Sequence, residues 1–271
     1  TISVENTYIS LNSASSGGGG IYNNLPVINL TNSTIADNSA FNNGGGLYNY
    51  NGTVTINTST IKGNTVTGGG TSYGGGIYNV GSEGTGAMTI VNSTLTGNSS
   101  SFGKGGALYN QASGSDPNPP GIATINIYNS TIVSNSAYGS FGGGGIFVST
   151  ATGSEVSTVT LSNSIVYGNT LTGSGTNGEN CRLENSGTIV ANNHNLFQNL
   201  VNDCVAGASD VTSNLARPSV VSGLTNNGGT TQTMALPTGS PAIDAGSNAI
   251  CAAAPVNNAS QNDIIRPAGS A

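Results

Sequence analysis

Val27-Ile28-Asn29-Leu30-Thr31-Asn32-Ser33-Thr34-Ile35-Ala36-Asp37-Asn38 is the stretch on which the fold turns. Ile28 and Leu30 alternate with polar residues, which is strand spacing. Asn32, Ile35 and Asn38 follow at three-residue steps. The same unit, apolar-x-apolar-x-Asn-x-x-Ile-x-x-Asn, recurs along the chain. Clear copies are Met88, Ile90, Asn92, Leu95, Asn98; Ile125, Ile127, Asn129, Ile132, Asn135; and Val159, Leu161, Asn163, Val166, Asn169. Val54, Ile56, Thr58, Ile61, Asn64 carries Thr at the first Asn slot. Ile2, Val4, Asn6, Ile9, Asn12 and Ile189, Ala191, Asn193, Leu196, Asn199 flank the set. Seven copies therefore span residues 1 to about 199.

A second motif, Gly-Gly-x-(Ile/Leu)-Tyr-Asn, interleaves with the first. Its copies carry Ile21-Tyr22-Asn23, Leu47-Tyr48-Asn49, Ile77-Tyr78-Asn79, Leu108-Tyr109-Asn110 and Ile146-Phe147-Val148. Each period thus holds two or three short apolar pieces, too short for helices and punctuated by Gly or Asn. One period cannot bury its own apolar face. Stacking periods about 4.8 Å apart lets each strand pair with its copy one turn on, which is an all-β parallel β-helix of about seven coils. Seven coils would rise roughly 34 Å. Unequal steps between copies then become outer loops of different size. The longest insert, Gln111 to Gly121, contains Pro117, Pro119 and Pro120 and is excluded from the sheet centre.

Asn and Gly have architectural roles in this reading. Asn tolerates left-handed corners, and its amide can bond the same amide one coil away. Ile9, Ile35, Ile61, Leu95, Ile132, Val166 and Leu196 should form one buried stack. Residues 1–200 form the helix, and 201–271 pack on it as an irregular cap or extension.

Composition narrows the function. Of 271 residues, 42 are Gly and 38 Asn, and only 6 % are charged. The five basic residues, Lys62, Lys104, Arg182, Arg217 and Arg266, cannot track a phosphate backbone, so nucleic acid is not the partner. No apolar run is long enough for a membrane helix. The chain opens at Thr1 and is read as processed or as part of a longer one. His194 is the sole histidine and no two Cys are closely spaced, so no zinc site, and no other metal or cofactor, is expected.

Catalysis on such a scaffold needs converging carboxylates or acids beside a base. Glu5, Asp37, Glu83, Asp116, Glu155, Glu179, Glu184, Asp203, Asp210, Asp244 and Asp263 share no repeat slot. Asp37 and Lys62 fall in neighbouring slots of adjacent coils and should form a surface ion pair. Thr-x-Thr pairs at Thr53/Thr55, Thr158/Thr160 and Thr170/Thr172 do not recur in every coil, as a flat ice-binding plane requires. Tyr22, Tyr48, Tyr78, Tyr109 and Phe147 share a slot beside an inward Ile or Leu and should point outward. They form either a ladder stabilising the sheet or a stripe for sugar rings or a neighbouring subunit.

The repeats resemble those of polymorphic outer-membrane proteins and related bacterial adhesins. The C-terminal third is more specific. Asn180-Cys181, Asn193-His194-Asn195-Leu196, Cys204, Asp210, Leu224 to Leu236 and Gly239-Ser240-Pro241-Ala242-Ile243-Asp244-Ala245-Gly246 occur in order. That succession is similar to choice-of-anchor Q domain proteins, secreted bacterial β-helix proteins. Ser260 to Pro267 keeps the Gln, Arg and Pro of the family's closing motif and loses three other positions. The resemblance implies a right-handed helix, a secreted or cell-surface location and a disulfide between Cys181 and Cys204. Cys251 is left over, free or paired with another chain. It carries no general catalytic motif. The expected function is a non-enzymatic extracellular structural or adhesive protein that binds carbohydrate or a cell-surface ligand. The alternative is a carbohydrate-active enzyme. With no N-terminal cap before Ile2 and Val4, self-association is expected to run head to tail, giving a filament.

Overall fold

The computed structural model describes residues 1–266 except 70–71, 115–117, 152, 176–177, 192 and 199–202. The chain is a right-handed parallel β-helix whose four long sheets are ladders between one coil and the next, and a two-stranded antiparallel sheet, Leu224–Thr225 with Thr233–Met234, lies in the C-terminal part. A coil contains four short strands, more than the two or three apolar pieces legible in the sequence. The first sheet has seven strands, from Ile2–Glu5 and Val27–Thr31 to Val156–Ser162 and Thr188–Val190. The second begins at Tyr8–Ser10 and Thr34–Ala36 and has eight. The third is built from pairs such as Ser39–Ala40 and Thr65–Val66, whose small side chains give no apolar signal. The fourth carries the Tyr-Asn motif, in Ile21–Asn24, Leu47–Tyr50, Ile77–Ser82, Leu108–Ser113, Ile146–Thr150 and Cys181–Glu184.

Two left-handed corners separate the first three strands of each coil. Asn6, Asn32, Thr58, Asn92, Asn129 and Asn163 occupy one, with φ between 45° and 50°. Leu11, Asp37, Gly63, Gly97, Ser134 and Gly168 occupy the other. Asn suits the first because its short polar side chain tolerates the left-handed region. Close backbone approach demands glycine before the fourth strand: a Cβ on Gly75 would lie 2.4 Å from the Ser99 carbonyl carbon.

The lumen is lined by a continuous apolar cluster. Ile35, Ile61, Leu95, Ile132 and Val166 stack in register and are fully buried, with Ile9 half-buried at the open end. The seventh member differs from expectation. Val166 pairs with Phe197, and Leu196 pairs with Ile165. Ile189 holds its expected register opposite Val159, so one extra residue enters the corner at His194. A one-residue slip reverses every side chain. Phe197 therefore fills the lumen, while Leu196 turns outward among Val133, Tyr167, Val220 and Val221. Asn199 lies outside the described residues.

Longer periods lengthen strands as well as loops. First-sheet strands grow from the five residues of Thr53–Asn57 to the seven of Thr85–Val91 and Ile122–Tyr128. Leu108–Ser113 runs three residues into the proline-containing insert, of which Asp116 and Pro117 lie outside the described residues.

The C-terminal part does two jobs. Cys204 and Ala206 pack on the lumen's end, and Val211–Ser213 adds an eighth strand to the second sheet. From there the chain returns along the outer face of that sheet as a strap. Tyr167 donates to the Ser213 and Leu215 carbonyls, Asn163 bonds Ser247, and Gln261 reaches back to Ser59, Thr60 and Thr94. The sheet's outward Val133, Ile165 and Tyr167 are covered by Val220, Val221 and Met234, which accounts for the strap's path.

Candidate functional site

The recurring Tyr slot was the leading contact candidate. Its members stack along the fourth sheet with ring centroids 5.0, 5.0, 5.3 and 5.1 Å apart from Tyr22 to Phe147. They point away from the lumen, yet only the N-terminal end is open. Tyr22 is 54 % exposed and Tyr48 half-buried, whereas Tyr78, Tyr109 and Phe147 are buried. Tyr73, from an outer loop, lies 5.5 and 4.8 Å from the Tyr78 and Tyr109 rings. Lys104 Nζ sits 5.0 Å over the Phe147 ring and pairs with Glu184. The slot is thus a covered aromatic column with one exposed lip at Tyr22 and Tyr48.

Burial changes the phenols of its covered members. Burial, then neighbouring Tyr22 and Tyr50, pushes Tyr48 up to about 12. Burial also raises Tyr78 and Tyr109 well above the usual phenol range, and Tyr109 OH bonds Ser149 Oγ at 2.6 Å. These groups can pack and hydrogen-bond but are poor proton carriers.

The acids are dispersed. Lys62 does not pair with Asp37: its Nζ donates to Gln232 Oε1 at 2.8 Å, because the strap passes over this coil. Glu83 accepts from Asn118. Asp203 and Asp210 have a different task, described below. Cys181, Asp203 and Cys204 converge as metal-ligand types, but the two sulfurs are joined as a disulfide, with Cα atoms 4.8 Å apart. Cys251 is free and buried, carried by the strap against the β-helix, where Asn129 and Asn163 amides donate to its sulfur. Between strap and second sheet lies a cavity of about 510 Å³ lined by Thr94, Asn129, Thr131, Met234, Gln261 and Arg266.

Three polar ladders run along the rod, their rung-to-rung bonds donating toward the C-terminus, while Asn38, Asn64, Asn98, Asn135 and Asn169 also donate Nδ2 to a carbonyl of the coil before. In the first, Asn12, Asn38, Asn64, Asn98, Asn135 and Asn169 each donate Nδ2 to the next rung's Oδ1, ending on Asn180, at 2.9–3.0 Å. Asn180 takes the rung after Asn169 and donates to Asp203 Oδ2 at 2.8 Å. In the second, each backbone N–H of Thr7, Ser33, Ser59, Ser93 and Ser130 donates to the next coil's Ser Oγ. Ser164 then donates to Asn195, which donates N–H and Nδ2 to Asp210 Oδ1. In the third, Asn23, Asn49, Asn79 and Asn110 are linked at 2.7 Å, ending on Ser157 Oγ. The Asn ladders were expected from the repeat. The serine ladder was missed, although Ser recurs between the corner residue and the next Thr or Ile.

Two ladders end on carboxylates, which have no donor to pass on, and the third on the Ser157 hydroxyl, which donates back to the Asn110 carbonyl. Asp203 also accepts from the Asn180, Cys181 and Cys204 backbones. Desolvation raises its pKa, partly opposed by these bonds, the one from Asn180 Nδ2 foremost. Asp210 receives Asn193 N and Gly207 N as well.

No protein-family model, curated protein or solved structure matches this chain.

Proposed function

We propose that the protein is a non-enzymatic structural or adhesive component of a bacterial exterior, of the choice-of-anchor Q kind. The observation that carries the reading is the Cys181–Cys204 disulfide at the terminal rung of the rod, which suits an oxidising compartment. Low charge and continuous buried ladders suit a rigid spacer, in which each coil is held by its neighbours. The exposed lip supplies the adhesive contact, with the outer face of Tyr22, held on the Tyr48 ring, suited to the apolar face of a sugar.

Fractionation of the source cells tests the location: the disulfide-bonded form should appear in the medium or at the surface, accessible to added protease. A reduced, protease-shielded cytosolic pool overturns it. Glycan-array binding that is lost in Tyr22→Ala/Tyr48→Ala supports the lip as contact. Turnover of a polysaccharide by the purified protein would replace the reading with the enzymatic alternative.

A further inference from the structure

Along the second sheet the strap satisfies one outward threonine after another and then misses one. Thr60, Thr94 and Thr131 occupy the same slot of successive strands. Thr60 Oγ1 donates to the Gln232 carbonyl and Thr94 Oγ1 to Gln261 Oε1, both at 2.7 Å. Thr131 is half-buried, and its hydroxyl has no hydrogen bond among the described residues. One coil further, Ile165 takes the slot and joins the apolar contact with the strap. The break at Thr131 opens onto the cavity of about 510 Å³.

Two more polar groups on this cavity are unmatched. Asn129 is 8 % exposed; its Nδ2 donates to Cys251 Sγ, and its Oδ1 is buried without a partner. Arg266 is half-buried and anchored by its backbone N–H on the Asn258 carbonyl at 2.8 Å. Its guanidinium makes no hydrogen bond or ion pair among the described residues. The surrounding wall is held without an occupant: Asn227 Nδ2 donates to the Thr233 carbonyl, and Gln261 Nε2 to Ser59 and Thr231. A buried polar atom left unmatched costs free energy, so a rigid wall that keeps one beside an unpaired guanidinium and a free hydroxyl is shaped for a ligand.

The lining sets the chemistry of that ligand. A guanidinium fork is matched by a carboxylate, and Arg266 is the only base described on this cavity, so the match is to a single negative charge. No acidic residue is among the described lining, so an ammonium group finds no counter-charge. Asp244 lies on an adjoining space of about 320 Å³ and is exposed. Thr131, Asn227 and Asn262 are neutral groups that suit hydroxyls, and Met234 and Leu236 give an apolar wall for C–H groups. The volume lies in the range of small-molecule sites.

We propose that this cavity binds a sugar acid, a monosaccharide-sized carboxylate whose charge meets Arg266 and whose hydroxyls meet Thr131, beside the unmatched Asn129 Oδ1. The site shares no residue with the Tyr22–Tyr48 lip and is independent of the extracellular reading.

The probe is D-glucuronate, titrated into the full chain and followed by calorimetry. Saturable binding is expected with Kd below about 1 mM. D-Glucose, the same ring without the carboxylate, should bind at least about tenfold more weakly. Arg266→Gln should weaken glucuronate binding by at least about tenfold, through loss of the charge-assisted bonds. Thr131→Val keeps the side chain's shape and should weaken it roughly fivefold. Neither side chain holds a bond within the fold, so both variants should keep the wild-type thermal midpoint. Absence of saturation at millimolar glucuronate overturns the proposal, as does equal binding of glucose or unchanged affinity in Arg266→Gln. Tighter binding of an amino acid such as L-threonine would overturn the sugar-acid class. Glucuronate binding that is lost in Tyr22→Ala/Tyr48→Ala and kept in Arg266→Gln would place the ligand on the lip, overturning this site while leaving the adhesive reading intact.

Discussion

The two ends of this rod are built from the same repeat and differ in almost every physical respect. At the C-terminal end the lumen is closed by Cys204 and Ala206, tied down by a disulfide, and the polar ladders terminate on satisfied oxygens. At the N-terminal end Ile2, Tyr8, Leu11, Tyr22 and Leu25 are exposed and Asn23 Oδ1 is unmatched. A repeat specifies the interior of a solenoid but not its ends, since each coil's stability comes from two neighbours and a terminal coil has one. The end that is sealed is sealed by residues outside the repeat.

The sharpest way to break this comparison is to cut the same amide at two places. Asn98 is fully buried, and its side chain bonds Asn64 N and Nδ2, the Ile61 carbonyl and Asn135. Asn98→Ala leaves several buried groups unmatched and should cost about 3–5 kcal/mol in urea unfolding. Asn12→Ala, in the same slot at the open end, should cost less than about 1 kcal/mol, because water replaces its partners. Equal losses would show that the ladder is not graded from end to middle.

Next in size is the seal itself. Cys204→Ser opens a loop of about 24 residues and should cost about 3 kcal/mol in the chain-entropy treatment. Exchange should then rise first in Val211–Ser213 and the strands beneath it, and leave the first coil unchanged. Loss spread evenly along the rod would mean that the disulfide stabilises the helix as a whole rather than its end.

The aromatic column offers a graded series between the ends. Tyr109→Ala removes a buried ring in contact with Tyr73, Tyr78 and Phe147 and should cost about 3 kcal/mol, at the lower end for a buried aromatic. Tyr22→Ala should cost under about 1 kcal/mol, since half of the ring already lies in water. Thermal midpoints that fall equally would remove the distinction between covered column and open lip.

How much of this was legible follows from where each signal sits. The buried stack and the amide ladders lie in the repeat, so alternation and three-residue steps exposed them. The third sheet did not show because Ser39–Ala40 and its copies are too small and too short to register as strands. Leu196 was set in the lumen because a repeat read by spacing has no means of detecting one added corner residue at His194. The burial of Tyr78, Tyr109 and Phe147 comes from Tyr73 and Lys104, and the fate of Lys62 from Gln232, all contacts across loops or the strap. Asn180 could not be assigned to the amide ladder because it stands only 11 residues beyond Asn169, well short of a period.

The smallest expected effect is a pH dependence confined to the sealed end. Asp203 has its carboxyl raised above the usual 3.8, with desolvation as the largest cause. In the pH interval between 3.8 and the raised native value, the folded protein holds a proton that the unfolded chain has released. Stability therefore falls as pH rises through that window, and the penalty is fully present above the native value. Below 3.8 both states are protonated and the penalty vanishes. Asp203→Asn removes the titration, although its amide can no longer accept with both ends from Asn180 and Cys181. The difference in urea midpoint between wild type and Asp203→Asn should thus change with pH just above 3.8 and level off higher. The other carboxylates titrate alike in both proteins and cancel in that difference. Asn12→Ala, at the end with no carboxylate in its ladders, should leave the wild-type pH profile unaltered. A flat difference for Asp203→Asn would mean that the hydrogen bonds at this rung offset the desolvation, and that the seal is neutral to charge.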